Sequence, residues 1–346
     1  QGFDWLKTLR AAVAAGVGNA VTSLVDGAAK KLAPVADELA GTRPHGFDPV
    51  AWARAEENPA FDTAQAAVSV PGVFTSQLAV LESLDRQGLE LDKAVASVGH
   101  SQGKLATLLL EGQAESDDLL AIAQLIGSAM TRTARITGLI QQGELSPMVS
   151  VIGVSREQLQ QAIDHVCADV PEEIRPVIGL RNTRDTFVMV GRPHDLQLVQ
   201  ELLGKFAKRD AKAIENKERG GEPFNPRFNP LPIQTAFHHP AMAAAVEQTV
   251  TWARQAGLDA EIARVAAELV LTTPVDFPAE LGDAVDAGTR WILEVGPETG
   301  MTPLTRRIVA GRGVGVLVVS DTEGQAELFD AGLAPELPRD WSEFAP

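Results

Sequence analysis

The strongest constraint on the fold is a five-residue turn, Gly99-His100-Ser101-Gln102-Gly103. It follows a short β-branched segment, Ala94–Val98, and precedes an apolar stretch with helical spacing through Leu110. A strand that turns into a helix over so few residues leaves no room for side chains two positions before and two after the serine. The pattern therefore predicts a nucleophile elbow, in which the Ser101 hydroxyl is exposed and the following backbone N–H groups point at an acyl oxygen.

The remaining periodicities indicate a mixed α/β chain in two parts. The middle of the chain runs strand, helix, strand, strand, helix, strand, which is the order of a ferredoxin-like unit, with Leu231–Gln234 as its expected last strand. The flanking residues alternate helices with short apolar strands, as in a parallel sheet. We predict an α/β-hydrolase-like parallel-sheet core formed by residues 1–146 and 231–330, a ferredoxin-like α+β insert at 147–230, and a linker or tail at 331–346.

Several individual elements are predicted with defined limits. Apolar residues at helical spacing cover residues 3–41, 73–89 and 117–142. Residues 216–230 are rich in Gly, Pro and Asn and predict a loop. Ser155, with Gln158 three residues later, has the form of a capping box before a helix.

Composition limits the partners and the chemistry. Thirty Lys and Arg against 46 Asp and Glu give a net charge of −16, which disfavours nucleic acid or an anionic membrane as a partner. The single cysteine, Cys167, excludes an internal disulfide and a Cys-based zinc site and favours a reducing, cytoplasmic setting. The most apolar stretch, Ala11–Val25, is interrupted by Gly and polar residues, so no membrane span is predicted. No His/Asp/Glu spacing predicts a metal site.

A nucleophilic serine needs a base, and histidine is the usual one. The chain has six candidates, which are His45, His100, His165, His194, His238 and His239. His238 and His239 lie between a predicted strand and a predicted helix, where functional residues of an open α/β sheet collect. Position alone favours this pair and does not separate its two members.

With these residues identified, the chain resembles the acyl-CoA:acyl-carrier-protein transacylase family, and within it the acetyltransferase domain of fungal-type and mycobacterial-type multidomain fatty acid synthases. Gly99–Gly103 is similar to the family's G-H-S-x-G motif, in the Gln form of this branch. Pro232–His238 resembles the strand that ends in the catalytic histidine, and Leu293–Pro297 resembles the E-V-G-P turn. Asn182 followed by Val188–Gly191 is similar to the N-x(n)-V-x-G hairpin.

The resemblance implies a catalytic dyad, with Ser101 as nucleophile and His238 as general base. It also implies an oxyanion hole made by the backbone N–H groups of Gln102 and Gln1, because Gln1-Gly2 looks like the remnant of the family's G-Q-G motif after the first strand. We therefore expect the chain to be a segment of a larger protein. Asn182 is expected to contact the substrate.

Ile126 bears on the choice of acyl group. Malonyl-selective members of the family carry an arginine in R-G-x-x-M, where its planar fork binds the malonyl carboxylate. The similar stretch here is Ile126–Met130, and a carboxylate buried without a cation is strongly disfavoured. Arg132 and Arg135 lie about 120° and 180° around the helix from Ile126 and should face elsewhere. Isoleucine thus favours an uncharged acetyl group over malonyl.

The expected function is ping-pong transfer of an acetyl group from acetyl-CoA to the phosphopantetheine thiol of an acyl carrier protein, which primes fatty acid synthesis. No bound cofactor or metal is expected. The expected partners are a carrier protein domain, a CoA thioester and other domains of a fatty acid synthase in a homo-oligomer, without nucleic acid or membrane. The alternatives are transfer of malonyl, palmitoyl or other acyl groups, a serine esterase or thioesterase, and a docking module whose site has decayed.

Overall fold

The computed structural model of the chain describes residues 4–297 and 300–330. Within these ranges the α-helices are numbered in chain order as α1 Trp5–Ala12, α2 Gly18–Leu32, α3 Ala36–Ala40, α4 Pro49–Arg54, α5 Ala66–Arg86, α6 Lys104–Leu110, α7 Ser116–Thr137, α8 Arg156–Val166, α9 Pro193–Glu215, α10 Ala243–Gln255, α11 Ala260–Leu271, α12 Phe277–Asp286, α13 Thr302–Ile308 and α14 Thr322–Asp330. The strands are β1 Met148–Ile152, β2 Val177–Thr183, β3 Thr186–Val190, β4 Arg227–Pro230, β5 Val275–Asp276, β6 Trp291–Glu294 and β7 Gly315–Val318. The predicted tail at 331–346 lies outside the described residues.

The N-terminal helical prediction is confirmed, with one break. Residues 5–40 are helical, but Gly16 has a φ of 98°, a left-handed conformation that glycine adopts without steric cost, and the chain kinks there. The next prediction starts too late, because α5 begins at Ala66 and passes through Pro71 and Gly72. A Cβ at Gly72 would lie 2.5 Å from the indole of Trp5, so the glycine lets α1 pack closely against α5. Tertiary packing therefore overrides the local helix-breaking signal.

Two helices carry much of the core around the site. The side chains of α5 and α7 are buried along most of both helices, and the two helices pack against each other. α7 ends at Thr137, earlier than predicted, because Gly138 takes up the left-handed conformation with a φ of 73°.

The insert has the predicted ferredoxin-like topology. Its strands are ordered β4-β1-β3-β2 with antiparallel neighbours, and β5 adds to the edge of β2 in parallel. The predicted last strand Leu231–Gln234 is wrong. The strand is β4, inside the predicted loop 216–230, because Phe228 pairs with Val151 and packs among the apolar residues behind the sheet.

The two faces of this sheet have different neighbours. Alternate residues of β1 and β3, such as Val151 and Met189, pack with α8 and α9 in a separate hydrophobic cluster. The predicted capping box forms at the start of α8, where Ser155 accepts a hydrogen bond from the Gln158 N–H. The opposite face turns towards the nucleophile turn and lines a large cavity.

The parallel sheet of the core is smaller than predicted. Within residues 4–297 and 300–330 it consists of β6 and β7, which pair in parallel. The predicted strand Ala94–Val98 is not hydrogen-bonded to another strand in these ranges. This segment and β6 both line the cavity, and the two do not pair through backbone hydrogen bonds. The fold is nevertheless mixed α/β with a central sheet, as predicted.

Two helical stretches are long and apolar enough to span a membrane by length and composition, contrary to the sequence prediction. They are residues 5–40 and α5. Most of α5 is buried inside the protein, as in the core helices of soluble proteins.

Candidate active site

The serine turn has the strained backbone of a nucleophile elbow. Ser101 has a φ of 53°, which is uncommon for a residue with a side chain, and the chain turns directly into a 3₁₀ turn, Ser101–Gly103, and then into α6. A Cβ at Gly99 would lie 2.5 Å from the backbone of Gly103, so a side chain cannot fit there. A Cβ at Gly103 would meet nothing nearer than 3.7 Å. Only the first of the two glycines is therefore required by close contact, which corrects the prediction for the second.

Ser101 and His238 meet directly. The Ser101 Oγ lies 2.8 Å from the His238 Nε2, and the His238 Nδ1 lies 2.7 Å from the backbone carbonyl oxygen of Thr273. Because a carbonyl can only accept, Nδ1 carries the proton and Nε2 is free to accept the hydroxyl hydrogen of Ser101. This arrangement can remove a proton from the serine during nucleophilic attack.

His238 is neutral at physiological pH for a clear physical reason. Its side chain is fully buried, and burial lowers the pKa of the imidazole to about 4. The hydrogen bond to the Thr273 carbonyl raises this pKa in part, while the nearby His100 and Lys104 lower it further. A neutral imidazole is the form that can act as a base.

His239 has a different role from His238. Its Nε2 lies 3.0 Å from the carbonyl oxygen of Arg175, and its Nδ1 accepts a hydrogen bond from the backbone N–H of Ala241 at the start of the 3₁₀ turn Pro240–Met242. The geometry therefore separates the two adjacent histidines, since one faces the serine and the other caps a turn.

His100 faces away from the nucleophile and towards the insert. Its Nε2 donates to the side-chain oxygen of Asn182 on β2, 2.9 Å away, and its ring packs edge-on against Phe277. Burial lowers the pKa of His100 to about 4. Asn182 is buried at the cavity wall, so this hydrogen bond links the insert to the residue beside the serine.

One of the two expected oxyanion donors can be placed. The backbone N–H of Gly103 donates to the His100 carbonyl, whereas the N–H of Gln102 finds no acceptor among residues 4–297 and 300–330. The Gln102 N–H can therefore donate to an oxyanion at the serine. Gln1, the other expected donor, lies outside the described residues.

Ile126 is fully buried on α7 and does not line the cavity. Arg132 donates to the Glu38 carbonyl and stacks over Trp252, and Arg135 is exposed. Neither arginine lines the cavity.

The cavity beside Ser101 has a volume of about 1690 Å³ and is walled on one side by the insert sheet. The strand residues in this wall are Met148, Ser150, Ile152, Leu180, Asn182, Thr186 and Val188. All of them are uncharged, and Lys104, the cation next to the elbow, forms an ion pair with Glu280. This wall therefore offers hydrophobic contact and a few hydrogen-bonding groups rather than a cation.

The family resemblance implies that a backbone carbonyl orients His238, but the sequence did not identify which residue supplies it. The Thr273 carbonyl orients His238, and a backbone carbonyl carries no signature of residue type, so no sequence signal could have found it. Within the described ranges, no group of three or more His, Cys, Asp or Glu residues could hold a metal ion.

The chain is similar to known proteins in both sequence and fold. Residues 147–230 match the family model described as the fatty acid synthase central AT domain. The fatty acid synthase beta subunit pkiC of Emericella nidulans is 24% identical over 272 residues, which cover 68% of this chain. The chain spans only 14% of the length of that subunit.

Solved structures show the same fold. The malonyl CoA-acyl carrier protein transacylase from Clostridium perfringens has a TM-score of 0.62 at 17% identity, covering 92% of this chain and 90% of that chain. A type II polyketide synthase malonyl-transacylase in complex with its acyl-carrier protein, PlMCAT:AntF, has a TM-score of 0.62 at 18% identity, covering 86% and 90%. The resemblance to acyltransferases of the fatty acid synthase type is confirmed.

Proposed function

We propose that this chain transfers an acetyl group from acetyl-CoA to the phosphopantetheine thiol of an acyl carrier protein through an acyl-enzyme on Ser101. The observation that carries the proposal is the hydrogen-bonded chain from Ser101 Oγ through the His238 imidazole to the Thr273 carbonyl. It supplies a nucleophile, a neutral base and a fixed tautomer in one buried place. Similarity to a fatty acid synthase subunit and to carrier-protein transacylases supports the carrier as acceptor.

The first half-reaction uses these groups in a defined order. His238 Nε2 takes the Ser101 proton while Oγ attacks the thioester carbonyl, and the developing oxyanion accepts a hydrogen bond from the Gln102 backbone N–H. A second N–H, from Gln1, is proposed from the motif resemblance. When the C–S bond breaks, the His238 imidazolium returns its proton to the departing CoA sulfur, and the acetyl group remains on Ser101.

The second half-reaction is the reverse with a different thiol. His238 takes the proton of the carrier thiol, the sulfur attacks the Ser101 ester, and the proton ends on Ser101 Oγ as the acetyl group leaves on the carrier. No metal or cofactor takes part in these steps. The Thr273 carbonyl stabilises the imidazolium that forms in each half.

The preference for acetyl rests on charge. The insert wall of the cavity is uncharged, Lys104 is paired with Glu280, and Ile126 stands where malonyl-selective relatives carry arginine. A malonyl carboxylate held against the insert wall would lose its hydration without gaining a cation from that wall. Malonyl transfer is the second candidate, because the solved structures with this fold that are reported above are malonyl transacylases.

The wider setting is also proposed. We infer that the chain works as part of a larger fatty acid synthase, in a homo-oligomer in the cytoplasm, and that it primes chain synthesis. The similarity to one stretch of a much longer synthase subunit supports this.

The test is covalent labelling followed by transfer. Radiolabelled acetyl-CoA should label the wild-type chain and not Ser101→Ala, while Ser23→Ala, an exposed residue of α2 whose hydroxyl bonds the Asn19 carbonyl, should label normally. Adding holo carrier protein should release the label to the carrier faster than to water. Label retained on Ser101→Ala would overturn the proposal, and faster release to water would assign a thioesterase instead. Competition between acetyl-CoA and malonyl-CoA decides the acyl group.

A further inference from the structure

Gln77 is a buried polar side chain beside the nucleophile turn. It lies on α5, which packs against the turn Ser101–Gly103, and a Cβ at Gly103 would be 3.7 Å from the Gln77 Nε2. Only 6% of Gln77 is exposed. Its neighbours one turn away on the same helix face, Val73 and Leu81, line the cavity with it.

The side-chain oxygen of Gln77 has no hydrogen-bond partner in the described part of the chain. This Oε1 is buried and accepts no hydrogen bond from residues 4–297 or 300–330. Gln124, another buried glutamine, shows the usual arrangement, since its Oε1 accepts from the Arg43 guanidinium. Buried polar atoms are almost always hydrogen-bonded, and an unpaired one costs free energy. We therefore expect the Gln77 Oε1 to accept a hydrogen bond from a ligand that enters the cavity.

A second unpartnered carboxamide faces the same space. Gln102 follows the nucleophile and lines the cavity, and its buried side-chain oxygen likewise accepts no hydrogen bond within the described residues. Two unpaired acceptor oxygens on residues that line the same cavity as Ser101 thus call for a ligand that carries N–H or O–H groups close to its reactive carbon.

The chemistry of the substrates narrows the choice. An acetyl group has no hydrogen to donate, and the thiol proton is taken by His238. The nearest donor on either thioester is the amide N–H of the pantetheine arm, which is two methylene groups from the sulfur. CoA and the carrier share this arm, so one contact can serve both half-reactions.

We propose that Gln77 is a specificity-determining residue that binds the first amide of the pantetheine arm. This inference rests on the proposed thioester transfer. The Gln77 Oε1 accepts the amide N–H, and the contact selects thioesters of pantetheine over simple thioesters. Recognition of the arm by an uncharged carboxamide also suits two substrates whose remaining parts differ in charge.

The experiment compares three acetyl donors. Gln77→Met keeps the length of the side chain and removes the carboxamide, and Gln77→Leu serves as a second apolar variant. Acylation of Ser101 is measured with acetyl-CoA, with S-acetyl-N-acetylcysteamine, which has only the first amide, and with S-butyl thioacetate, which has none. We expect kcat/KM to fall about five- to tenfold for the first two donors and to change by less than about twofold for the third.

Stability gives an independent readout. Because Gln77→Met removes an unpaired buried polar group, its melting temperature should stay the same or rise. The matched control Gln124→Met breaks a buried hydrogen bond to Arg43 and should lower the melting temperature while leaving the ratio between the donors unchanged.

Two results would overturn the inference. An equal loss for all three donors would mean that Gln77 supports the elbow rather than the arm, and unchanged rates for all three would mean that it binds nothing in the reaction. Fluorophosphonate labelling of Ser101 and wild-type acylation by S-butyl thioacetate report on the proposed function separately. If these fail in the wild-type chain, the transfer itself is wrong.

Discussion

Ser101 and His238 lie 137 positions apart in the chain, yet their side chains are 2.8 Å apart and both have left-handed backbones, with φ values of 53° and 56°. A positive φ is unfavourable for a residue with a Cβ and persists only when the surrounding structure holds it. Backbone hydrogen bonds fix the chain on both sides of His238, from the Ala236 N–H to the Leu139 carbonyl and from the His239 N–H to the Leu271 carbonyl. Among the described residues, two of the three non-glycine residues with a positive φ are therefore the two that exchange a proton, and the third is Lys217.

The same substitution should affect the acylation rate at His238 and the stability of the fold at His239. His238→Gln should reduce the acylation rate by about 10²- to 10⁴-fold, because the base is lost. His239→Gln should leave that rate within a few-fold and lower the unfolding free energy by about 1 kcal/mol, because it disturbs a turn cap. Single-turnover acylation and denaturant unfolding of both variants measure these effects. A larger rate loss in His239→Gln than in His238→Gln would contradict the assignment.

The two glycines of the elbow should differ in their tolerance of alanine. Gly99→Ala places a methyl group against the Gly103 backbone and should abolish fluorophosphonate labelling of Ser101 or prevent folding. Gly103→Ala meets only ordinary contacts and has a normal helical φ of −60°, so it should fold and keep most of its acylation rate. Labelling combined with a thermal melt checks both variants, and loss of labelling in a folded Gly103→Ala chain would refute the steric argument.

Acid should destabilise the fold through the buried histidines. Burial lowers the pKa of His100 and of His238 to about 4, whereas an unfolded histidine titrates near 6.5. Between these values the unfolded chain binds protons that the folded chain does not. The free energy of unfolding therefore has its full value above about pH 6.5. As the pH falls towards 4, it decreases by about 1.4 kcal/mol per pH unit for each histidine.

Urea unfolding at several pH values tests this pH dependence. His100→Asn removes one of the two titrating groups, so the unfolding free energy of this variant should fall less steeply between pH 6.5 and 4 than that of the wild-type chain. Identical slopes would show that His100 titrates normally in the folded state.

Ile126 provides the test of acyl selectivity. Ile126 does not itself line the cavity, but arginine is longer, so Ile126→Arg should extend a guanidinium from α7 towards the malonyl carboxylate and raise the ratio of malonyl to acetyl transfer. Since Ile126 is fully buried, the variant should also unfold more easily, and the amount of active chain must be counted by fluorophosphonate labelling. Ile126→Gln is the control for size and polarity without charge. An equal ratio in the two variants would remove the selectivity argument.

The sequence predicted the elements that are encoded locally. The capping box of Ser155 and Gln158 was predicted with the residues that form it, because capping depends on neighbours in the chain. The serine turn was predicted for the same reason, since its glycines and its flanking apolar runs lie within a few residues.

Features that depend on distant contacts were missed or misplaced. The helix predicted to begin at residue 73 begins at Ala66, because packing of Trp5 against Gly72 carries α5 through Pro71. The strand Ala94–Val98 has the composition of a strand, yet its pairing depends on what lies beside it. The Thr273 carbonyl orients the base through its backbone, so the identity of residue 273 carries no signal.

The edge strand β5 has a consequence for exchanging parts between relatives. It begins at Val275, two positions after Thr273. It pairs with Leu180 and Arg181 on β2, directly before Asn182. The Thr273 carbonyl, which sets the tautomer of His238, and the Asn182 side chain, which binds His100, are therefore both positioned by the backbone pairing of β5 with β2. A chimaera that receives the insert of a relative will have to reproduce the pairing of β5 with β2, or it will fold with its nucleophile and base out of alignment.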